Sequence, residues 1–343
     1  MNVRLDETLL VPLGEERELT VKLGAYHSGS ERDVQVIDYI YDSPQFIAGP
    51  AVDEFANHFL REDQFGFTTS GGRFFFNRAL ETGVGNNAYF GDATIQAVYL
   101  MNELPLAEQW RVIAGVRLET TDLRVDSFNG FQTAQAMIQE EDWLPAAGVI
   151  YNPRPDMNVR LHYGRTLARP TFRELAPNRS YDPVASILVE GNPNLRRTVV
   201  DNYDVRWEWF PNPGEVLSAG FFYKSLKDPI ERTLVSAKGD ILTFENRDKA
   251  TVWGIEFEAR KNLAFAGELL EEFSVGFNFA WIESAVPLTA TELINKRSSD
   301  PSFPAERPLF DQSPYVANVD LTFDHARSGT QVTLACAITG PRL

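Results

Sequence analysis

Asn202-Tyr-Asp-Val-Arg-Trp-Glu-Trp-Phe210 is the stretch that decides the fold. Side chains on a β-strand alternate between its two faces. One face of this stretch is apolar and carries Tyr203, Val205, Trp207 and Trp209. The other face is charged and carries Asp204, Arg206 and Glu208. A strand of this kind needs an apolar medium on one side and water on the other, so the stretch predicts part of a wall between two media.

The same alternation recurs along the chain, with apolar residues at every second position. It covers Val21–Ala25, Ala93–Tyr99, Val112–Leu118, Val159–Tyr163, Leu217–Tyr223, Trp253–Ala259, Val275–Trp281 and Tyr315–Phe323. A period of two is the β-strand period and does not fit a helix. No run of 18 or more apolar residues occurs, which excludes a transmembrane helix. A membrane barrel stays open, because its strands carry a weaker hydropathy signal.

The connections between these segments alternate in length. Short, turn-rich connections lie near 103–108, 152–156, 210–214 and 324–329, with a somewhat longer one at 262–270. Long connections lie near 121–141, 167–200, 226–249 and 284–313. Transmembrane barrels combine short periplasmic turns with long extracellular loops in this way, whereas a soluble sandwich has no reason to do so. The prediction is an all-β, antiparallel transmembrane β-barrel, partial, with about fourteen strands of a larger barrel.

The segment 43–90 fits this pattern least well. It contains a possible helix, Val52–Leu60, followed by glycine-rich and phenylalanine-rich sequence. If the turn at Gly14 is periplasmic, we expect one further wall strand here, and we place it at Gln64–Asn77.

Composition narrows the possible partners and cofactors. The net charge of −16 argues against nucleic acid, because neutralising phosphates requires a positive surface. Cys336 is the only cysteine, so no intrachain disulfide forms. The four histidines lie on separate segments without metal-ligand spacing, and we expect no metal site and no cofactor. The first residues lack the apolar core of a secretory signal, so we expect that signal to lie upstream.

Several phrases resemble the barrel of TonB-dependent outer-membrane receptors, from about residue 90 onward. They are Arg165-Thr-Leu-Ala-Arg-Pro-Thr-Phe-Arg-Glu-Leu-Ala-Pro177, Glu190-Gly-Asn-Pro-Asn-Leu-Arg196, Asn202-Tyr-Asp204, Lys224-Ser-Leu-Lys-Asp-Pro-Ile-Glu231, Gly254-Ile-Glu-Phe-Glu-Ala-Arg260 and Gln312-Ser-Pro-Tyr315. Members of that family are 22-stranded barrels with a plugged lumen. The resemblance implies that 1–343 is a partial barrel domain of such a receptor, with no plug domain and without the final strands.

The resemblance also implies a function and a set of partners. The protein is expected in the cell outer membrane of a Gram-negative envelope, in contact with its lipid. It would take up a scarce solute such as a siderophore, cobalamin or oligosaccharide. The TonB energy-transducing complex would drive uptake by acting on a plug domain, and no enzymatic activity is implied.

Candidate site residues follow from the faces and the loops. In the wall, the charged face predicts luminal side chains at Asp204, Arg206, Glu208, Glu256, Glu258 and Arg260. The opposite face predicts lipid contacts at Tyr203, Val205, Trp207, Trp209, Trp253, Ile255 and Phe257. At the root of a long loop, Arg165, Arg169, Arg173 and Glu174 are candidates for binding an anionic solute, because guanidinium pairs bidentately with carboxylate or phosphate. The same residues would equally fasten the loop to the lumen wall, and this structural role is favoured.

Other functions stay open at this point. Glu256 and Glu258 lie about 7 Å apart along one strand face, within the range of an inverting glycosidase pair, although a solvated lumen wall is the favoured interpretation. Glu140-Glu-Asp142 could bind calcium, with a solvated acidic turn as the simpler alternative. A soluble β-sandwich that recognises glycans and a plug-less, porin-like barrel are the remaining alternatives.

Overall fold

The computed structural model describes residues 1–14, 17–37, 39–42, 65–66, 74–78, 86–129, 133–182, 187–234 and 241–342. The strands in these ranges are β1 (Asn2–Pro12), β2 (Glu18–Ile37), β3 (Tyr39–Asp42), β4 (Phe65–Gly66), β5 (Phe74–Arg78), β6 (Asn86–Ala107), β7 (Trp110–Asn129), β8 (Thr133–Arg154), β9 (Met157–Ala168), β10 (Arg179–Asp182), β11 (Ile187–Glu190), β12 (Thr198–Trp209), β13 (Val216–Lys227), β14 (Ile230–Leu234), β15 (Ile241–Asn246), β16 (Lys249–Asn262), β17 (Phe273–Pro287), β18 (Glu306–Arg307), β19 (Tyr315–His325) and β20 (Thr330–Thr339).

Helices are few in the described ranges. Two α-helices occur there, α1 (Phe172–Leu175) and α2 (Ala290–Ser299), together with two short 3₁₀ helices at Leu263–Ala266 and Glu268–Leu270. Among the described residues, no helix has the length and the apolarity required to span a bilayer.

Thirteen of the strands form one continuous antiparallel sheet. Its order is β1-β2-β6-β7-β8-β9-β12-β13-β16-β17-β19-β20, and β18 pairs with β17 at one end. Each strand on this path therefore lies beside the next wall strand along the chain, as in an up-and-down barrel. A sandwich would need two packed sheets, so this alternative is not favoured. The sheet is a partial transmembrane β-barrel, as the alternation predicted.

The wall strand expected at Gln64–Asn77 is a wrong prediction. β2 pairs directly with β6, from Thr20 opposite Glu103 to Ile37 opposite Asn86. The described parts of the predicted segment, β4 and β5, instead form a separate three-stranded sheet with β3. A further wall strand is not required there, because β2 and β6 together already return the chain to the short-turn end. The possible helix Val52–Leu60 lies outside the described residues.

Apolar side chains form rows across one face of the sheet, here called the outer face. One row joins Tyr163, Tyr203, Tyr223 and Trp253. The next row joins Leu161, Val205, Phe221, Ile255, Trp281 and Tyr315. Leu161, Val205 and Ile255 are between 43% and 50% exposed. Large apolar side chains exposed in contiguous rows mark a surface that contacts another apolar phase.

Aromatic residues bound this apolar region at both ends. At the short-turn end, Trp110 stacks on Tyr151 with ring centroids 4.3 Å apart. At the far end, Trp143 lies opposite Leu118 and is exposed. Trp110 and Leu118 are eight residues apart on β7, about 27 Å along a strand and about 21 Å in height at the usual tilt. This matches the roughly 25 Å apolar band of transmembrane barrels, with its aromatic girdles.

The polarity of the two faces reverses at one level of the wall. The outer row Ala25, Val98, Leu118 and Trp143 is apolar, and the next outer row away from the short turns is polar: His27, Gln96, Thr120 and Glu141. Beyond that level the outer face of β7 carries Asp122, Arg124 and Asp126, while the inner face carries the buried Leu123 and Val125. The reversal marks where the strands leave the bilayer and the inner face meets packed protein instead of water.

On β6 the predicted apolar face is wrong. Ala93, Ile95, Ala97 and Tyr99 lie on the inner face, where Ala97 is 6% exposed and the Tyr99 hydroxyl donates a hydrogen bond to Asp6. The outward residues are Val98 and Leu100. Apolar residues occupy every position from Ala97 to Met101, so the sequence pattern does not indicate which face of β6 meets the bilayer.

The long connection expected near 121–141 is mostly strand. β7 continues to Asn129 and β8 begins at Thr133. The hairpin therefore extends well beyond the polarity reversal, and its inner face supplies a surface on which other loops pack.

The polarity reversal predicts that two positions on the outer face of β7 differ in how well they tolerate a charged side chain. Ala114 and Thr120 both point outward from β7, but Ala114 lies about 15 Å deeper, near the middle of the apolar band. Ala114→Arg should reduce the free energy of unfolding by about 2–4 kcal/mol, and Thr120→Arg by at most about 1 kcal/mol. Urea unfolding in lipid vesicles measures both. Equal losses for the two variants would contradict the assigned level.

Candidate functional site

The open end of the wall, opposite the short turns, is filled by loops around a small hydrophobic core, here called the mouth core. Its buried members come from four sources: the inner face of the long strands, α1 with the residue after it, a four-stranded sheet of β10, β11, β15 and β14, and the connection between β11 and β12. They are Tyr89, Leu123, Val125, Ala136, Ile138, Leu175, Ala176, Val189, Leu195 and Phe244. Burial of these side chains holds the loops against the wall.

Helix α1 is short and is held by its cap. Thr171 and Glu174 form a capping box, in which each side chain accepts a hydrogen bond from the other's backbone N–H. The cap orients Leu175, which is fully buried in the mouth core. The phrase Arg165–Pro177, which carried the family resemblance, thus folds into the turn that anchors the first long loop.

Gly191 and Asn192 join α1 to the four-stranded sheet. A Cβ atom at Gly191 would clash with the backbone oxygens of Ala176 and Arg173, so only glycine allows this approach. The Asn192 N–H donates to the Glu174 carbonyl at 2.6 Å, and its side-chain amide donates to the Phe244 carbonyl at 2.9 Å. The Gly-Asn pair therefore connects loops that are distant in sequence.

A second asparagine binds the next crossing of the chain. The side-chain amide of Asn246 donates to the carbonyls of Arg196 and Asp228, at 2.9 and 2.8 Å. Its side-chain oxygen accepts the Arg196 N–H at 2.8 Å. Asn246 therefore satisfies backbone hydrogen-bonding groups at a point where three segments of the chain meet.

Arg165 lies on the outer face, and not in the lumen. It shares a strand face with Tyr163 and pairs with Asp201 through two hydrogen bonds, at 2.9 and 3.2 Å. The Tyr163 hydroxyl donates to the same carboxylate at 2.8 Å. The trio sits at the edge of the apolar band, so its geometry favours a structural role at the membrane interface.

The other three candidates at this loop root have partners within the chain. The Arg169 guanidinium bonds to Thr121 at 2.9 Å and pairs with Glu119 on the inner wall. Arg173 donates to the Ser180 hydroxyl, and Glu174 completes the cap of α1. These contacts support the fastening role that the sequence favoured over anion binding.

One strong contact between a loop and the wall was not predicted from the sequence. Arg197 pairs bidentately with Asp142, at 2.7 and 2.6 Å, and lies 3.2 Å from Glu140. Glu140 and Asp142 belong to β8, so neither the calcium site nor the solvated acidic turn describes them. Arg197 and Asp142 are 55 residues apart, and no local spacing reveals such a pair. Among the described residues, no group of three or more potential ligands is arranged to hold a metal ion.

Buried ion pairs tie the later loops together. Arg307 donates to Glu231 at 2.7 Å, and the Glu231 side chain is 6% exposed. Arg247, whose side chain is 5% exposed, donates to Glu292 of α2 at 2.8 Å. Burial raises the pKa of Glu292, but the Thr289 backbone N–H and the Arg247 charge outweigh it and keep the pKa below its usual value. Glu292 therefore stays ionised and retains Arg247.

Below the mouth core, the charged face of the wall forms a continuous network. Arg206 donates to Glu208 at 3.0 Å and to Glu258 at 2.8 Å, and its guanidinium lies 4.0 Å from Glu256. Arg160 pairs with Glu208 from the other side, at 3.0 Å. Asp204 lies 3.6 Å from His162, and Arg260 is exposed nearer the short turns. The structure thus brings together most of the predicted luminal residues.

The residues predicted to contact lipid all lie on the outer face. Tyr203, Val205, Trp253, Ile255 and Phe257 are exposed there. Trp207 and Trp209 are partly covered by neighbouring side chains. The indole N–H of Trp209 donates to Asp156 at 2.8 Å, as an interfacial tryptophan does when one end is apolar and the other is wet.

The geometry gives little support to a glycosidase. Glu256 and Glu258 line a shallow cavity of about 200 Å³, but both lie close to the Arg206 guanidinium, which donates to Glu258 at 2.8 Å and lies 4.0 Å from Glu256. Both carboxylates therefore belong to the ion network of the wall, which favours the solvated-wall interpretation over a glycosidase pair.

An apolar outer face, a charged inner face and a mouth filled by packed loops define a receptor-type transmembrane β-barrel. The chain belongs to the TonB dependent receptor-like, beta-barrel family, whose model matches residues 14–335. The family is one of outer-membrane receptors and transporters, and its barrel wall is what the chain supplies. No curated protein sequence matches the chain.

Solved structures show the same fold at low sequence identity. The ferric yersiniabactin uptake receptor FyuA from Yersinia pestis is 13% identical, with a TM-score of 0.58 over 99% of this chain and 42% of that one. The ferric citrate transporter FecA is 11% identical, with a TM-score of 0.60 over 98% and 41%. The ferric-catecholate import receptor Fiu from K12 E. coli is 12% identical, with a TM-score of 0.60 over 98% and 47%. The chain spans less than half the length of each.

Replacing the glycine of the Gly-Asn pair is expected to reduce stability locally. Gly191→Ala should open α1 and β15, because the added methyl must displace backbone, at a cost of about 1–3 kcal/mol. Amide hydrogen exchange over 171–176 and 241–246 should accelerate roughly tenfold. Gly220→Ala is the matched control, since its Cβ would make only ordinary contacts. Unchanged exchange in Gly191→Ala would refute the role of this approach.

Loss of the Arg247–Glu292 pair is expected to make α2 sensitive to protease. Glu292→Gln keeps the shape and the cap but removes the closer of two carboxylates from the buried Arg247, whose remaining charged neighbour is the half-exposed Glu245 at 3.8 Å; this is unfavourable for a buried charge. Trypsin cleavage after Lys296 and Arg297, followed by mass spectrometry, should become at least about tenfold faster. The control is Glu306→Gln, which changes an exposed glutamate nearby. Equal cleavage rates in both variants would show that the pair does not hold α2.

Proposed function

We propose that this chain forms the wall and the extracellular mouth of an outer-membrane receptor that takes up a scarce solute by TonB-coupled transport. The observation that carries the proposal is the mouth core: ordered loops folded onto strands that project beyond the bilayer. A passive porin needs an open lumen, whereas a receptor needs a built surface facing outward. The family match and the fold of the solved structures support the same role.

Within this role the wall would act without covalent chemistry. The outer apolar rows would anchor it in lipid, and the network around Arg206 would hydrate the lumen and contact a plug domain. TonB would act on that plug, driven from the inner membrane. Solute would be captured at the mouth and pass along the inner face when the plug moves.

One surface in the mouth suits contact with the solute. Arg232 stacks on Phe310, with the guanidinium carbon 4.9 Å from the ring centroid, and lies 3.2 Å from Asp311. These residues line a small cavity of about 130 Å³ together with Glu231 and Phe244. Arg232 and Asp311 are about half exposed, so their pair is easily exchanged for one with an incoming anion. Guanidinium and aromatic faces together favour an anionic, planar chelate.

Ferric chelates are therefore the first solutes to test, before cobalamin and oligosaccharides. Three of the similar solved structures are uptake proteins for ferric yersiniabactin, ferric citrate and ferric catecholate.

Transport by cells that carry the full-length receptor tests the proposal. Uptake of radiolabelled ferric catecholate, ferric citrate and cobalamin is measured with and without TonB. For the solute carried, Arg232→Ala should raise the half-saturating concentration about tenfold, in line with loss of one charge-assisted contact. Arg327→Ala, in the turn between β19 and β20, is the control and should transport normally. Uptake that persists without TonB would instead indicate a porin.

A further inference from the structure

The small cavity beside Arg232 carries an excess of negative charge. Among the described residues that line it, three are carboxylates, Glu174, Glu231 and Asp311, and Arg232 is the one cation. The cavity has a volume of about 130 Å³, which is enough for several water molecules. The proposed function places an anionic group of the solute on Arg232 at the rim, and it assigns no occupant to the interior.

Glu231 is the most deeply buried of the three carboxylates. Its side chain is 6% exposed. One oxygen, Oε2, accepts hydrogen bonds from the Arg307 guanidinium at 2.7 Å and from the Phe310 N–H at 3.4 Å. The other oxygen, Oε1, has no hydrogen-bond partner among the described residues. A carboxylate oxygen that is shielded from bulk water and left unpaired is costly, so Oε1 favours a donor that enters the cavity.

The other two carboxylates repeat this arrangement. In Glu174, Oε2 accepts hydrogen bonds from the Thr171 N–H and hydroxyl, at 2.7 and 3.0 Å. In Asp311, Oδ2 accepts a hydrogen bond from Arg232 at 3.2 Å. The second oxygen of each carboxylate has no partner in the part of the chain that the structure describes. Three acceptor oxygens therefore remain for an occupant, and a primary ammonium group has three N–H donors.

Aromatic rings add to the attraction for an organic cation. Phe310 and the buried Phe244 also line the cavity. The ring of Phe310 already holds the Arg232 guanidinium, whose carbon lies 4.9 Å from the ring centroid, and the same ring face attracts an ammonium group. A metal ion fits less well, because no group of three or more potential ligands in the described ranges is arranged to hold one. The three carboxylates repel an anion.

We infer that this cavity binds a protonated primary amine on a short methylene chain, and that the amine belongs to the solute. The second part of this inference rests on the proposed receptor function. Arg232 faces the oxygens of the chelate at the rim, and the amine enters beneath it. The class of solute is thereby narrowed to ferric chelates that carry a free aliphatic amine.

Saturation-transfer NMR on the full-length protein in phosphatidylcholine nanodiscs tests the amine site. The probes are n-butylamine, which is protonated at pH 7, and butan-1-ol, which has the same chain without the charge. The wild-type protein should bind n-butylamine at least about tenfold more tightly than butan-1-ol, in line with charge-assisted hydrogen bonds.

The paired substitution Glu174→Gln with Asp311→Asn should abolish this preference. Glutamine keeps the capping box of α1, and asparagine tolerates the φ of 60° at position 311. Glu231 is left intact, because its loss would also unpair Arg307. Amide hydrogen exchange over 171–176 should stay unchanged, which shows that α1 remains folded in the variant. The control is Glu306→Gln, which removes an exposed charge outside the cavity and should retain the preference.

Two ferric trihydroxamates test whether the amine belongs to the solute. Ferrioxamine B carries a free terminal amine, and its N-acetyl derivative lacks that charge. Quenching of tryptophan fluorescence measures binding of each to the purified full-length protein. The wild-type protein should bind ferrioxamine B at least about tenfold more tightly, and the paired variant should bind both chelates equally.

The outcomes separate the two parts of the inference. Equal binding of n-butylamine and butan-1-ol, or a preference that survives Glu174→Gln with Asp311→Asn, would overturn the amine site. Equal binding of the two chelates, or binding of neither, would overturn the assignment of the amine to a ferric chelate. Neither measurement requires TonB, so a failure of TonB-coupled uptake in cells is a distinct result.

Discussion

Inside a bilayer no water is available to bond with the backbone, so every peptide group of the wall must find its partner on a neighbouring strand. Between its two edge strands, β1 and β20, the register of the sheet meets this demand by pairing each wall strand with the next along the chain. Once the backbone is paired in this way, each face of every strand is committed to either the outer or the inner side of the wall. The rows of tyrosine and tryptophan, the Arg206 network and the mouth core all follow from that assignment.

Much of the wall was predictable because alternation is a local property. Strands such as β12 and β16 show it within nine residues, and in the structure their charged residues share one face of the sheet while their apolar residues share the other. β6 failed because apolar residues fill both faces from Ala97 to Met101, and because its upper inner face packs against loops. Which medium a face meets depends on height above the bilayer, and alternation does not encode height.

The mouth was less predictable, since its contacts join distant segments. The Arg197–Asp142 pair spans 55 residues, and Arg165 was expected near the lumen until pairing with Asp201 placed it outside. The Gly191–Asn192 phrase was recognisable as a family resemblance, but its role appears only when α1 and β15 meet beside it. Sequence therefore identified the important phrases and left their partners undetermined.

The mouth core has a consequence for recognition itself. Loops that order only when a ligand arrives lose conformational freedom at that moment, and this weakens binding. Here the loops around Arg232 and Phe310 are already packed against the wall by Leu175, Phe244 and their neighbours. In the proposed receptor role, the entropy of arranging these loops is spent during folding, and the solute would meet a surface that is ready on first encounter.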